Sequence, residues 1–355
     1  MATVIKKRLL VAPLDWGWGH LYRSLTLCRE WPQPNWEFYI LAPAPLVPLL
    51  QKQYPNMHFI PEQPLGMHYP KNRFSLWYWL KTPIWLTRLI SDKLLCAKLV
   101  KNYNPDLILS DSRPWFSSTK KSSIILIHQL HPLIPKFPRL QKLCHIFLHS
   151  LLQKFKRIWV PDYEGEEASL AGILSHPASK NCSYIGPISR FKKWDLTPTD
   201  APQKLLFLLT GPEAHRKDFF NKLALAFSPQ YSHWQWHICG IKGTNHSQRT
   251  FHPFPSEVLL EELLNHSNLI VSRTGYTTLM DLAHLQLNAL LIPTPGQSEQ
   301  EFLGHYIRNR FIVYQEPDLQ NPIPHFTKLT FPKATFPPSQ TLPSILEQEL
   351  NAIQF

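Results

Sequence analysis

The 355-residue sequence predicts an α/β protein of two Rossmann-like domains, with parallel sheets facing each other across a cleft. Three observations predict it. Short apolar runs recur along the chain, and turn residues and then apolar residues at helical spacing follow them, as βα units require. The pattern restarts after a polar, proline-containing stretch near the middle of the chain. The length also exceeds what one hydrophobic core commonly serves.

In the first half the runs predict strands over 8–13, 37–41, 106–110, 124–128 and 157–160. Three of them end in polar or glycine-rich turns, where open α/β sheets place ligands. Residues 191–202 hold Lys192, Lys193, Asp195, Pro198, Asp200 and Pro202, a linker composition. The domains are therefore set at 1–197 and 198–355. The second half predicts strands over 204–209, 234–239, 268–271 and 289–292. A proline-rich stretch over 321–343 precedes a short final helix over 344–353, which is free to return to the N-terminal domain.

Composition narrows the function classes. Apolar residues make up 44% and aromatics 12%, enough to fill two cores, so a disordered chain is excluded. The formal charge of +12 calls for an anionic partner: phosphorylated ligand, acidic membrane surface or nucleic acid. Five scattered cysteines without a Cys-x-x-Cys pair fit reduced thiols in the cytoplasm. The apolar run 9–12 is too short for a signal peptide, and no stretch is long enough to span a bilayer. Membrane contact would come from the side. Residues 71–101 set Trp77, Tyr78, Trp79 and Trp85 among seven Lys/Arg, with Asp92 as their acid. Residues 136–157 place Leu140, Leu143, Phe147, Leu151 and Phe155 near helical spacing, with six Lys/Arg and no acid. An amphipathic helix of that kind suits either an anionic lipid surface or the flank of a sheet.

The most informative stretch is 269–283. A strand meets Ser272, Arg273, Thr274 and Gly275, and Leu279, Leu282 and Ala283 then continue at helical spacing. Gly275 lets backbone approach a ligand, and Thr277 or Thr278 can cap the helix. Helix amides and dipole favour a phosphate there, Arg273 adds a cation, and Asp281 can reach a ribose hydroxyl. The next strand ends in a stiff loop with Pro293, Pro295 and Gly296, followed by Gln297, Glu299, Gln300 and Glu301. Amides and carboxylates there suit sugar hydroxyls, which both donate and accept. No Asp-x-Asp pair is present, and neither metal nor cofactor is expected.

The second half resembles the C-terminal domain of glycosyltransferase family 28, the MurG-like branch of the GT-B enzymes. The resemblance implies phosphate contacts from Arg273, Thr274 and Gly275, a ribose contact from Asp281, and sugar contacts from Gln300 and Glu301. It also implies a glycine-rich loop at Gly211, where Pro212 lacks an N–H and Thr210, His215 or Arg216 can substitute. Thr274, Asp281 and Glu301 stand where the family more often has Ser, Glu and Gln.

The first strand runs into Gly17, Gly19 and His20, with Arg23 three residues later. The two glycines suit a tight turn, and a histidine at a helix start suits a general base. This Gly-x-Gly-His-x-x-Arg pattern is similar to the same superfamily's N-terminal loop, and to the UDP-sugar hydrolases of pseudaminic acid synthesis. Asp111 is the reserve base, and His128, Gln129, Ser189 and Arg190 are further cleft candidates.

The leading reading is an inverting, metal-independent glycosyltransferase that uses a nucleotide-diphosphate sugar, UDP by resemblance, and an acceptor that can be lipid-linked. It would work in the cytoplasm, with the inner face of the membrane as its peripheral site. A nucleotide-sugar hydrolase is the alternative. A non-catalytic nucleic-acid binder ranks lowest, because no nucleic-acid-binding motif is present, and no nucleic acid is expected as partner.

Overall fold

Strands buried on both faces of a parallel sheet need near-continuous apolar runs, and the chain supplies them. In the computed structural model, Leu9, Leu10, Val11 and Ala12 are fully buried in β1 (Lys7–Pro13). The structure describes residues 6–15, 18–63, 82–134, 137–179, 181–194, 203–211, 213–332, 336–337 and 341–353, with backbone alone at 82–89 and 214. Gly17, Pro212, most of the expected linker and the Trp77–Trp79 cluster lie outside the described residues.

The described residues form two compact units, 1–188 with 338–355, and 189–337. The chain thus passes from one unit to the other at Ile188–Ser189, earlier than residue 197. In the first unit β1 is followed by α1 (Trp18–Arg29), β2 (Trp36–Pro43), α2 (Val47–Gln53), β3 (His58–Glu62), α3 (Thr82–Tyr103) and β4 (Leu107–Asp111). Then come β5 (Ser122–Leu126), α4 (Pro138–Leu152), β6 (Arg157–Val160) and β7 (Cys182–Tyr184). These strands make one parallel sheet in the order β3-β2-β1-β4-β5-β6-β7.

The second unit holds β8 (Lys204–Leu208), α5 (Glu213–Tyr231), β9 (Gln235–Cys239), β10 (Arg249–His252), α6 (Glu257–His266) and β11 (Leu269–Ser272). It continues through α7 (Tyr276–Leu285), β12 (Ala289–Leu291), α8 (Ser298–Tyr306) and β13 (Ile312–Val313). Its parallel sheet runs β10-β9-β8-β11-β12-β13. Phe207, Phe219, Phe227, Tyr231, Trp234 and Trp236 build its core largely from edge-to-face rings. The last helix, α9 (Leu342–Asn351), belongs to the first unit, where Leu346 and Leu350 are buried and Glu349 accepts from Trp159 Nε1 at 3.0 Å.

In each sheet the chain first builds outward in one direction and then returns to add strands on the other side. The reversal falls between β1 and β4 in the first unit, and between β8 and β11 in the second. The crevice beyond the carboxyl ends of those strands is where such sheets bind ligands.

The basic amphipathic stretch divides. Leu151 and Phe155 are buried, but Leu143, Ile146 and Phe147 on α4 are 63%, 60% and 52% exposed, so that part of the stripe does not pack on the sheet. Among the described residues, no helix is long and apolar enough to cross a membrane.

Candidate active site

In the first unit, β1 delivers α1 and β4 delivers Asp111 to the same crevice. His20 Nδ1 lies 2.9 Å from Asp111 Oδ1, although 91 positions separate them in the chain. A carboxylate can only accept, so Nδ1 carries the hydrogen and Nε2 is left as the basic nitrogen. The His20 side chain is 17% exposed, and Asp111 is fully buried.

Arg23, one turn beyond His20 on α1, grips the same carboxylate. Its Nε donates to Oδ2 at 2.8 Å, its Nη2 donates to Oδ1, and Ser24 Oγ adds a bond to Oδ2 at 3.1 Å. Burial works to raise the Asp111 pKa, but Arg23 and His20 overcome it and hold the carboxyl far below its usual range. Burial and then Arg23 push the His20 pKa below 6.5, against the opposing pull of Asp111. Asp111 is therefore not a second base facing the crevice, as expected of it, but a buried anion beneath His20. Gly19 is likewise not part of a turn: it lies in the first turn of α1.

His128 is buried in the segment after β5, close enough to add its own small push on His20. Arg113 is buried beside Asp92 and Glu62, pairing with them at 2.5 Å and 2.8 Å, and so braces the fold.

In the second unit, β11 leads into Arg273, Thr274 and Gly275. Gly275 is the N-cap of α7 and no side chain caps that helix, so neither Thr277 nor Thr278 plays the capping role. The helix amides and their dipole stand at the carboxyl end of the sheet, as an anion site requires.

Arg273 does not join them. It is 7% exposed, its guanidinium lies 3.4 Å above the Phe219 ring, and its Nη2 pairs with Glu316 Oε2 at 2.6 Å. Nη1 donates to Pro293 O at 3.0 Å. The cation expected at the diphosphate is spent inside the unit, tying β11 to the loop after β12 and to the 3-10 turn Glu316–Gln320.

Thr274 is also structural: its Oγ1 donates to Gln300 O at 2.9 Å. Gln300 Oε1 accepts from Thr294 N at 3.0 Å and Glu301 Oε1 from Gly296 N at 2.7 Å, so both side chains fold the proline-rich loop onto α8. Gly211, after β8, adopts φ +93°, the left-handed region that favours glycine. Arg216 is held by Gly240 O.

Asp281 lies in the second turn of α7 and accepts from Ser189 Oγ at 2.8 Å, while Arg190 turns to Glu257 at 3.4 Å. Burial pushes the Asp281 pKa from 3.8 up to about 6. A folded pKa above the unfolded one penalises the charged form, so stability falls as pH rises from about 4 to about 6 and is level above that. Asp281→Asn is expected to raise stability at pH 7 by up to about 2–3 kcal/mol, with the gain disappearing near pH 4 in thermal melts.

Sequence comparison found 24% identity over 316 residues, 84% of this chain and 81% of the relative, to the UDP-N-acetylglucosamine–N-acetylmuramyl-(pentapeptide) pyrophosphoryl-undecaprenol N-acetylglucosamine transferase of Buchnera aphidicola subsp. Schizaphis graminum. Solved structures of similar fold include CalG4, the calicheamicin glycosyltransferase, with TM-score 0.60 and 14% identity over 88% of this chain and 87% of that one. MurG of Acinetobacter baumannii matches with TM-score 0.52 and 12% identity, over 98% and 90% of the two chains. Residues 235–306 match the glycosyltransferase family 28 C-terminal domain. The chain is a GT-B glycosyltransferase with a family 28 C-terminal domain.

The family 28 match covers β9 through α8, the segment that carries the α7 amino end, Asp281 and the Gln300–Glu301 pair. The candidate base of this glycosyltransferase comes instead from the first unit. Arg23 and Glu316 are the residues that reading the sequence left without a role. The Arg of Gly-x-Gly-His-x-x-Arg was a signal for the first, being one helical turn from His20. No local pattern announces Glu316 as the partner of Arg273. Among the described residues no three His, Cys, Asp or Glu side chains gather as a metal site.

Proposed function

We propose that this glycosyltransferase moves N-acetylglucosamine from a UDP-linked donor to a lipid-linked acceptor at the cytoplasmic face of a membrane, with inversion at the anomeric carbon. The curated relative supports this choice of donor and acceptor, since its name gives both. The second unit holds the donor: the diphosphate lies against the amino end of α7, Asp281 takes the ribose, and Gln300 and Glu301 position the loop against the sugar. The first unit supplies the base. His20 Nε2 removes the proton of the acceptor hydroxyl as that oxygen bonds to the anomeric carbon and the bond to the diphosphate breaks. Asp111 stabilises the imidazolium that forms, and the α7 amides receive the developing negative charge. The His20–Asp111 pair at 2.9 Å is the observation that carries this reading.

The exposed Leu143, Ile146 and Phe147 on α4, flanked by Arg139 and Lys142, support contact with anionic lipid, each nearby cation adding about 1 kcal/mol. The test follows radiolabelled sugar from UDP-N-acetylglucosamine into a polyprenyl-pyrophosphoryl-saccharide acceptor carried in vesicles. Labelled lipid is expected, formed faster in anionic than in neutral vesicles, with the difference reduced in Ile146→Glu. Free N-acetylglucosamine without labelled lipid would overturn the reading.

A further inference from the structure

The charge count around His20 is unusual for a buried histidine–aspartate pair. An imidazole bonded to a lone buried carboxylate tends to take up a proton and form an ion pair, and an imidazolium cannot act as a base. Here the carboxylate already carries a permanent cation. Arg23 spans both Asp111 oxygens, with Nε on Oδ2 at 2.8 Å and Nη2 on Oδ1, the oxygen that His20 also uses. Ser112 Oγ accepts from the same Nη2 at 3.1 Å and fixes the guanidinium plane. Arg23 is 2% exposed and Asp111 fully buried, so solvent screens their interaction little. Arg23 also stands three residues beyond His20 on α1, on the same helix face, where its charge repels a second cation. The charged and titratable groups felt by His20 are Arg23 from α1, Asp111 from the end of β4 and His128 from the segment after β5. Two of the three oppose a proton on it.

We infer that Arg23 is a positioning residue that keeps His20 neutral, and so ready to accept a proton, by taking up the Asp111 charge that would otherwise hold an imidazolium. Asp111 then serves mainly to fix the tautomer, and its remaining attraction is drawn on when the proton arrives. The inference deepens the proposed function and rests on His20 being its base. The direction of the shift at His20, downward through burial and Arg23, agrees with the geometry.

The experiment titrates the full-length chain labelled with ring-¹³C histidine by NMR, identifying His20 among the 17 histidines by the signal lost in His20→Gln. The wild-type midpoint is expected below 6.5, and that of Arg23→Gln about 1–2 pH units higher. Arg23→Lys, which keeps the cation but not the fork, should return most of the way. A wild-type midpoint above 6.5, or one unmoved in Arg23→Gln, overturns the inference. Removing Arg23 leaves Asp111 buried without its cation, so that variant can fail to fold. In that event Arg23→Gln/Asp111→Asn, which removes the cation and the anion together, is compared with wild type. An unchanged or higher midpoint supports the inference, and a midpoint about 1 pH unit or more lower, which would show Asp111 drawing the proton unopposed by Arg23, overturns it. Activity is read separately. If the midpoints move as expected while His20→Ala retains its full transfer rate, the base assignment fails and the hold of Arg23 on the charge stands.

Discussion

His20→Ala is expected to lower the rate of sugar transfer by about 10²–10⁴-fold, the span that general-base catalysis commonly supplies. Donor affinity should change little, because the elements proposed to hold the donor belong to the second unit and His20 to the first. The cost to folding should be modest: one hydrogen bond to a carboxylate that keeps Arg23 and Ser24 contributes about 1.5–3 kcal/mol. The loss should therefore appear in kcat, with titration calorimetry of the nucleotide donor unaltered. The pH profile gives a second check. Only the neutral imidazole accepts a proton, so activity is present above the His20 pKa and is lost as pH falls through it. Burial and Arg23 hold that pKa below 6.5, which sets the acid limb below 6.5. A transfer rate in His20→Ala within a few-fold of wild type would remove the base from the mechanism.

Arg273→Ala is expected to fail chiefly by unfolding, with a loss of about 3–5 kcal/mol in chemical denaturation. The reason is packing. Its guanidinium covers Phe219, satisfies Pro293 O and pairs with Glu316, which among the described residues retains only Lys222 at 2.7 Å once the arginine is gone. The family resemblance leads to another expectation, that this arginine holds the diphosphate and that its removal costs donor affinity in a stable protein. The two outcomes separate cleanly in Arg273→Lys. Lysine keeps a charge for Glu316 but cannot stack flat on the ring or bridge the two sides, so stability should drop while nucleotide affinity per folded molecule holds. Normal stability with weakened nucleotide binding would return Arg273 to the diphosphate.

Most of the scaffold was legible in the sequence for a physical reason. Central strands of a parallel sheet are covered on both faces, and only continuous apolar runs such as those of β1, β4, β5, β8 and β11 satisfy that burial. The strands that escaped notice were β3, β7, β10 and β13, the outermost strands of the two sheets. An edge strand is covered on fewer sides, so His58, Glu62, Ser183 and Arg249 are tolerated in it, and the apolar run that would mark it is broken. The α7 amino end and His20 were legible too, because a glycine or histidine at a strand-to-helix turn is a local pattern.

Which partner each charged side chain takes was not local. Asp111 and Arg273 both read as groups pointed at ligand, since each follows an apolar strand at the binding end of its sheet. The fold buries both, giving the first to Arg23 and His20 and the second to Glu316 and Phe219. Burial period and turn chemistry are written within a few residues, so the chain alone settled two parallel-sheet units and pointed to the turns proposed to carry their chemistry. The choice of ionic partner depends on segments brought together from distant parts of the chain, where losing water must be offset by a well-placed countercharge. Only the assembled packing made that choice, and it left His20 with the basic nitrogen and Arg273 with a place in the core.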